Sequence, residues 1–299
     1  MIPVIVNAAA GAGHPESDFE SLHRLFEEAG APARILTARD GAGLQELARK
    51  AMKDSPQLLV AGGGDGTVSA VAQVTHGTET ALGILPMGTL NHFARDLALP
   101  TELPSAVKVA LGGRRVAIDM GEVNGVPFLN NASIGIYPDL VRDRERQQRR
   151  LGRSKRAAML WAIMAAMRRT PLLRMRLELD GEPQRCSAPF VFVGNNEYLM
   201  EGFKIGLRNS LEDGKLSVYT TRRSTAWGLF RLALRALFHR LHQADDFSAT
   251  AARRLTVEME DRRAFVATDG EVRAMETPLE FRCLPRALVV MAPRKEAGA

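Results

Sequence analysis

Four short apolar runs, Val4–Val6, Arg34–Leu36, Leu58–Ala61 and Ala81–Leu85, punctuate the first third of the chain. Between them, Phe19–Ala29, Gly43–Lys53 and Val68–His76 carry apolar residues at helical spacing. Strand–helix alternation of this kind predicts a mostly parallel sheet with helices on both faces. From about Asp119 the texture changes to short strand patterns: 120–123, 126–130, 173–179, 189–193, 216–219, 254–258, 264–267 and 279–283. In one of them Arg174, Arg176 and Glu178 alternate with Leu173, Met175, Leu177 and Leu179, the period of a half-buried strand, and Asp180-Gly181 follows as a hairpin signal. This half is expected to be largely antiparallel. The pattern divides the chain near 118, into an α/β domain over 1–118 and a β-rich domain over 119–285. A last strand, Ala287–Met291, is expected to return residues 286–299 to the first domain.

Composition adds limits. The 299 residues are 45% apolar and 25% charged, a globular balance. Cys186 and Cys283 are the only cysteines and show no CxxC spacing, which argues against a disulfide framework or zinc knuckle and for a reducing, cytoplasmic setting. The first residues lack the basic start and apolar core of a secretory signal. The longest near-apolar stretch, Ala157–Met167, is far shorter than the roughly 20 residues that cross a bilayer. The net charge of +6 is concentrated: eight Lys/Arg face two acids in 142–156, and five Arg face none in 222–242, so the rest of the chain is net acidic. Two basic segments on an acidic body point to a local anionic partner.

The strongest motif is Ala61-Gly62-Gly63-Gly64-Asp65-Gly66-Thr67-Val68, placed between a strand and a helix. Consecutive glycines let backbone N–H groups approach a ligand closely, and such a turn running into a helix N-terminus attracts phosphate. It is neither a Walker A loop nor GxGxxG. Asp65 is out of place in a purely anion-binding loop and suggests work on a metal ion or a hydroxyl proton; the competing reading is a helix N-cap. Pro86-Met-Gly88-Thr89-Leu-Asn91 forms a second loop at the same expected sheet edge, where Thr89 and Asn91 are candidate caps of a helix starting near His92.

Together these motifs resemble the diacylglycerol kinase catalytic-domain family, which includes sphingosine, ceramide and bacterial lipid kinases. The resemblance runs from Asn7 to Gly13, through Thr37, GGGDGT and Pro86–Arg95, to Asp119–Asn124, Phe128–Asn130, Gly202–Ile205, Leu211–Leu216 and Thr268-Asp269-Gly270-Glu271. GGDGT alone is shared with NAD kinases and phosphofructokinases; six motifs in order are specific. The chain departs from the family at Ala8, where proline is usual, and at His92, where aspartate is usual.

The resemblance implies an N-terminal α/β domain of the NAD kinase and phosphofructokinase type and a mainly antiparallel β-sandwich C-terminal domain. It implies ATP as donor, Mg²⁺ as cofactor and a lipid hydroxyl as acceptor, whether on diacylglycerol, a sphingoid base, ceramide or a related lipid. Asn7, Thr37, Gly63, Gly64, Asp65, Gly66, Thr67, Val68, Ser69, Gly88, Thr89 and Asn91 would contact the nucleotide. Glu271 would be the proton acceptor, with Asp65 as second candidate. Asp119 would hold the catalytic Mg²⁺ through water. Asp213, with the carbonyls of Ser210 and Lys215, would form a separate structural metal site, although a plain Asp-Gly turn competes there. Asn195 carries no assigned role.

Phe230, Leu234, Leu237 and Leu241 share a helical stripe beside Arg231, Arg235, His239 and His242; Leu160, Ile163, Met164 and Met167 form another behind the run ending at Arg156. Such helices either lie in a headgroup plane, giving a peripheral position at the inner membrane surface, or cover the β domain. The basic runs lack the interleaved aromatics of a nucleic-acid platform, so nucleic acid is not expected as a partner. Oligomeric state stays open. The rival readings are an NAD kinase-like small-molecule kinase and a non-catalytic nucleotide- or lipid-binding regulator.

Overall fold

The computed structural model describes residues 1–8, 16–135, 172–198, 207–221 and 247–294. The chain divides into two compact units, Met1–Met120 with Pro285–Ala299, and Gly121–Leu284.

The first unit contains β1 (Ile2–Asn7), α1 (Glu16–Glu28), β2 (Ala33–Ala38), α2 (Gly41–Met52), β3 (Leu58–Gly63), α3 (Asp65–Thr75), β4 (Ala81–Pro86), α4 (His92–Asp96) and α5 (Leu103–Gly112). Strands β5 (Arg114–Val123) and β16 (Leu279–Ala292) continue from one unit into the other. The sheet order is β2-β1-β3-β4, all parallel, and β16 joins β4 in parallel through Val290 and Leu82. Strand β4 is buried at every position and β3 at all but its first. That is why these runs are apolar without alternation: helices cover both faces of a parallel sheet. Val4, Val6, Phe26, Val60, Leu85 and Val107 form one core cluster. Helix α2 is fixed at its start by Asp40, whose side chain accepts the Gly43 N–H at 2.8 Å, and carries Arg49 and Lys50 in its last turn, where cations suit the helix dipole.

The second unit is an antiparallel β-sandwich. One sheet runs β12 (Phe247–Ala252), β11 (Leu216–Thr221), β10 (Phe190–Asn195), β7 (Asn131–Gly135), β14 (Arg263–Thr268), β15 (Glu271–Glu276). The other pairs β9 (Glu182–Ala188), β8 (Leu173–Leu179), β13 (Arg254–Met259) and the first half of β16, and β5 pairs with β16 and with β6 (Val126–Phe128). Ile134, Val193 and Val218 from the first sheet share a core with Leu177, Val257 and Phe281 from the second. Alternation in β8 works as the sequence indicates, with Met175, Leu177 and Leu179 buried and Arg174 and Arg176 exposed. Three two-residue hairpin turns, Asn124-Gly125, Asp180-Gly181 and Asp269-Gly270, have positive φ at both positions, as a type I′ turn requires.

The expected strands 279–283 and 287–291 are one 14-residue strand, β16, with Arg286 at φ 54 between them. The basic segments 142–156 and 222–242, their apolar stripes and Gly202–Ile205 lie outside the described residues. Among the described residues, no helix is long and apolar enough to cross a membrane.

Candidate active site

In the order β2-β1-β3-β4 the chain first steps from β1 to β2 and then returns past β1 to β3, so the winding reverses between β1 and β3. Ligands of open α/β sheets bind at such a switch point, beyond the carboxyl ends of the strands. Asn7 closes β1, Thr37 lies one residue before the end of β2, and Gly63 pairs with Pro86 at the ends of β3 and β4. The nucleotide-contact candidates of the first unit therefore occur along one sheet edge.

The two glycine loops are built against each other. Met87 N–H donates to the Gly63 carbonyl at 3.0 Å. A Cβ on Gly64 would stand 3.3 Å from the Gly88 Cα; one on Gly88 would press on the Gly64 backbone and lie 2.8 Å from Asn91 Oδ1. A Cβ on Gly63 would run into the Thr67 side chain. Only glycine allows this approach of backbones. Gly66 is exposed, with open space where its Cβ would be. A cradle of bare backbone at the start of the 11-residue helix α3 fits a phosphate chain.

Side chains then lock the loops. Asn91, at φ 48, accepts the Gly88 N–H on Oδ1 at 3.0 Å and donates from Nδ2 to the Gly88 carbonyl at 2.8 Å. It does not cap α4 through its side chain. That task falls to Asp65, whose Oδ1 accepts the Phe93 N–H at 3.0 Å. Asp65 is also not the N-cap of its own helix, a position held by Gly64. Thr67, Val68 and Ser69 are buried, so their side chains pack inward; Thr37 and Thr89 are exposed. Asp119 is 1% exposed, and its Oδ1 accepts the Arg286 N–H at 2.9 Å, fixing the left-handed residue in the middle of β16.

In the second unit, Glu271 opens β15 directly after the Asp269-Gly270 turn, opposite Thr268. Its side chain is about half exposed and pairs with Arg273 Nη2 at 2.9 Å. Asp269 is committed elsewhere: its carboxylate accepts the N–H groups of Leu129, Asn130 and Asn131 at 2.7, 2.8 and 3.1 Å. Ser210, Asp213 and Lys215 share the short segment before β11; Asp213 is exposed, Gly214 has φ 66, and the Lys215 carbonyl accepts the Asn196 N–H at 3.1 Å. One carboxylate with backbone carbonyls is the donor set of a hard cation, so these residues fit magnesium chemically. Among the described residues, no three His, Cys, Asp or Glu side chains gather as a metal cluster.

Asn195, which carried no assignment, is buried and holds the same corner as Asp269: its Nδ2 donates to the Leu129 carbonyl at 2.9 Å. Arg208 joins it there and had no signal in the sequence, because a single arginine in a polar stretch reads as surface. Tyr219, whose hydroxyl accepts the Tyr198 N–H at 3.1 Å, has its pKa raised by burial and stays a neutral phenol.

The chain thus joins a parallel sheet, with paired glycine loops at its switch point, to an antiparallel sandwich. Residues 1–123 match the diacylglycerol kinase catalytic domain, and residues 138–292 match the YegS C-terminal NAD kinase beta sandwich-like domain. The chain is 29% identical to a diacylglycerol kinase of Mycobacterium tuberculosis, over 98% of this chain and 95% of that protein. It is 30% identical to a probable lipid kinase YegS-like of Klebsiella pneumoniae, over 69% of this chain and 70% of that protein. The crystal structure of a putative diacylglycerol kinase from Bacillus anthracis shares the fold with a TM-score of 0.75 at 22% identity, covering 97% of this chain and 94% of that one. The chain belongs to the diacylglycerol kinase family of lipid kinases.

Proposed function

We propose that the chain transfers the γ-phosphoryl group of ATP to the hydroxyl of a membrane lipid. The observation that carries this reading is the double glycine cradle at the β1/β3 switch point, braced by Asp65 and Asn91. Phosphoryl transfer depends on positioning and charge neutralisation more than on covalent chemistry by the protein. The cradle, with Asn7, Thr37 and Thr89 at its rim, would hold the triphosphate. Magnesium bound with ATP would neutralise charge on the transferring group. Asp65, whose Oδ1 is engaged by the Phe93 N–H, would hold that ion through its other oxygen, and the buried Asp119 would act on it through water.

The acceptor oxygen attacks the γ-phosphorus as the bond to the ADP oxygen breaks. Glu271 takes the hydroxyl proton, typically worth ~10²–10⁴ in rate. Arg273 Nη2, 2.9 Å from the Glu271 carboxylate, would hold that side chain in place. Such an acceptor sits in a bilayer, and the basic runs 142–156 and 222–242 supply cations for an anionic surface.

The test is incubation with labelled ATP and magnesium, offering diacylglycerol, sphingosine and ceramide in mixed micelles, and NAD separately. Label in a lipid, lost in Glu271→Gln, supports the proposal. Label in NAD alone, or full lipid turnover by Glu271→Gln, refutes the acceptor class or the base, respectively.

A further inference from the structure

We infer that Arg208 and Asp269 are a pair of positioning residues for Glu271, acting from opposite sides of one stretch of backbone, Leu129–Asn131. The inference rests on Glu271 as the proton acceptor. On the N–H side of that stretch lies the Asp269 carboxylate, which accepts three consecutive backbone donors. The Asp269 N–H in turn donates to the Asn131 carbonyl at 2.9 Å. On the other side lies Arg208, whose Nη1 donates to the Leu129 carbonyl and Nη2 to Asn130 Oδ1, each at 3.0 Å. Arg208 as a residue is 7% exposed, and its guanidinium lies 5.7 Å from the centre of the Tyr198 ring and also reaches the Asn195 carbonyl at 3.3 Å. Tyr198 completes the grip by donating its hydroxyl to the Asn130 carbonyl at 3.0 Å.

The Leu129–Asn130 peptide group, with an anion at its N–H and a cation at its carbonyl, is polarised in one sense. Hydrogen bonds to charged groups are about twice as strong as neutral ones, and chains of them reinforce each other. The corner is thus a stiff mount. The Asp269-Gly270 turn is fastened to it, and Glu271 is the next residue. An arginine buried at this depth is costly unless its donors are used. Here its planar fork spans two acceptors that a lysine ammonium cannot hold together.

The experiment uses the full chain and two variants. Asp269→Asn keeps an Asn-Gly turn, the best type I′ pair, but leaves one oxygen where two accepted. Arg208→Lys keeps the charge and loses the fork. Amide hydrogen exchange is read over 127–132 and 268–272. Turnover on the lipid that accepts label in the wild type is normalised to ATP-binding sites. Expected are exchange at least tenfold faster in both segments, kcat down about tenfold or more, and KM for ATP within twofold. Unchanged exchange at 268–272 overturns the inference whatever the activity. Faster exchange with unchanged kcat overturns it too, because the mount would then be structural only. If Arg208→Lys does not fold, Asp269→Asn decides alone. Full activity in Glu271→Gln would instead remove the proposed base and leave the exchange result to stand on its own.

Discussion

Asp65 accepts the Phe93 N–H across 28 residues of sequence, so the carboxylate that interrupts the first glycine loop is also what starts the helix after the second. The position therefore carries two separable burdens. Asp65→Asn can still accept that N–H and is expected to melt within a few degrees of the wild type while losing at least a hundredfold in turnover. Asp65→Ala leaves the Phe93 donor without its partner and should cost about 1.5–3 kcal/mol as well. Thermal unfolding beside steady-state kinetics separates the two; an active Asp65→Asn would reduce the residue to a brace.

The contact between Gly64 and Gly88 makes a sharp pair of predictions. Gly88→Ala forces a methyl onto the opposite backbone and should destabilise by about 1–3 kcal/mol while weakening ATP binding. Gly66→Ala meets nothing within 4 Å and lies inside α3, so it should raise stability by about 0.5–1 kcal/mol. If the triphosphate passes over Gly66, its ATP affinity should nevertheless fall. Calorimetric ATP titration of both variants checks this, and equal affinity in Gly66→Ala would move the phosphates elsewhere.

Asp180 offers a stability control in the second unit. Its carboxylate accepts the Arg254 N–H at 2.8 Å and the Arg253 N–H at 3.0 Å, and it occupies a turn at φ 50. Asp180→Ala should lose about 2 kcal/mol, from the hydrogen bonds and the left-handed backbone together, while Asp180→Asn should lose less than half of that. ATP affinity should be unchanged in both. Urea unfolding gives the first quantity and nucleotide titration the second.

Burial raises the pKa of the Cys186 thiol above its ordinary value. A raised pKa favours the neutral thiol, so less thiolate is present at any pH below it. Alkylation of Cys186 near pH 8 should be several-fold slower than that of a free cysteine peptide and should accelerate in denaturant. Mass spectrometry after iodoacetamide pulses reads the rate; modification at the peptide rate would show the site to be open.

The glycine loops and the two-residue turns were legible because their chemistry is local. Runs of glycine, and Asp-Gly or Asn-Gly flanked by apolar alternation, announce a backbone conformation without reference to distant partners. The apolar pattern of β16 reads as two strands because Pro285 and Arg286 break it, and the bond that carries it through comes from Asp119, 167 residues earlier. Asn195 and Arg208 were opaque for the same reason: their partners, Leu129 and Asn130, lie 66 to 79 residues away. The capping roles of Asp65 and Asn91 are likewise not set by spacing: Asp65 reaches the helix after the second loop, while Asn91 turns back on Gly88 of its own loop.

Because Val290 pairs with Leu82, the parallel sheet acquires its fifth strand only after the whole sandwich has been synthesised. On the ribosome, β4 must wait through about two hundred intervening residues with one edge uncovered. Strands β6 to β15 emerge in that interval, and the second sheet of the inserted unit is completed only when the first half of β16 follows. The unit that carries the glycine loops, although it starts before the sandwich, is completed after it.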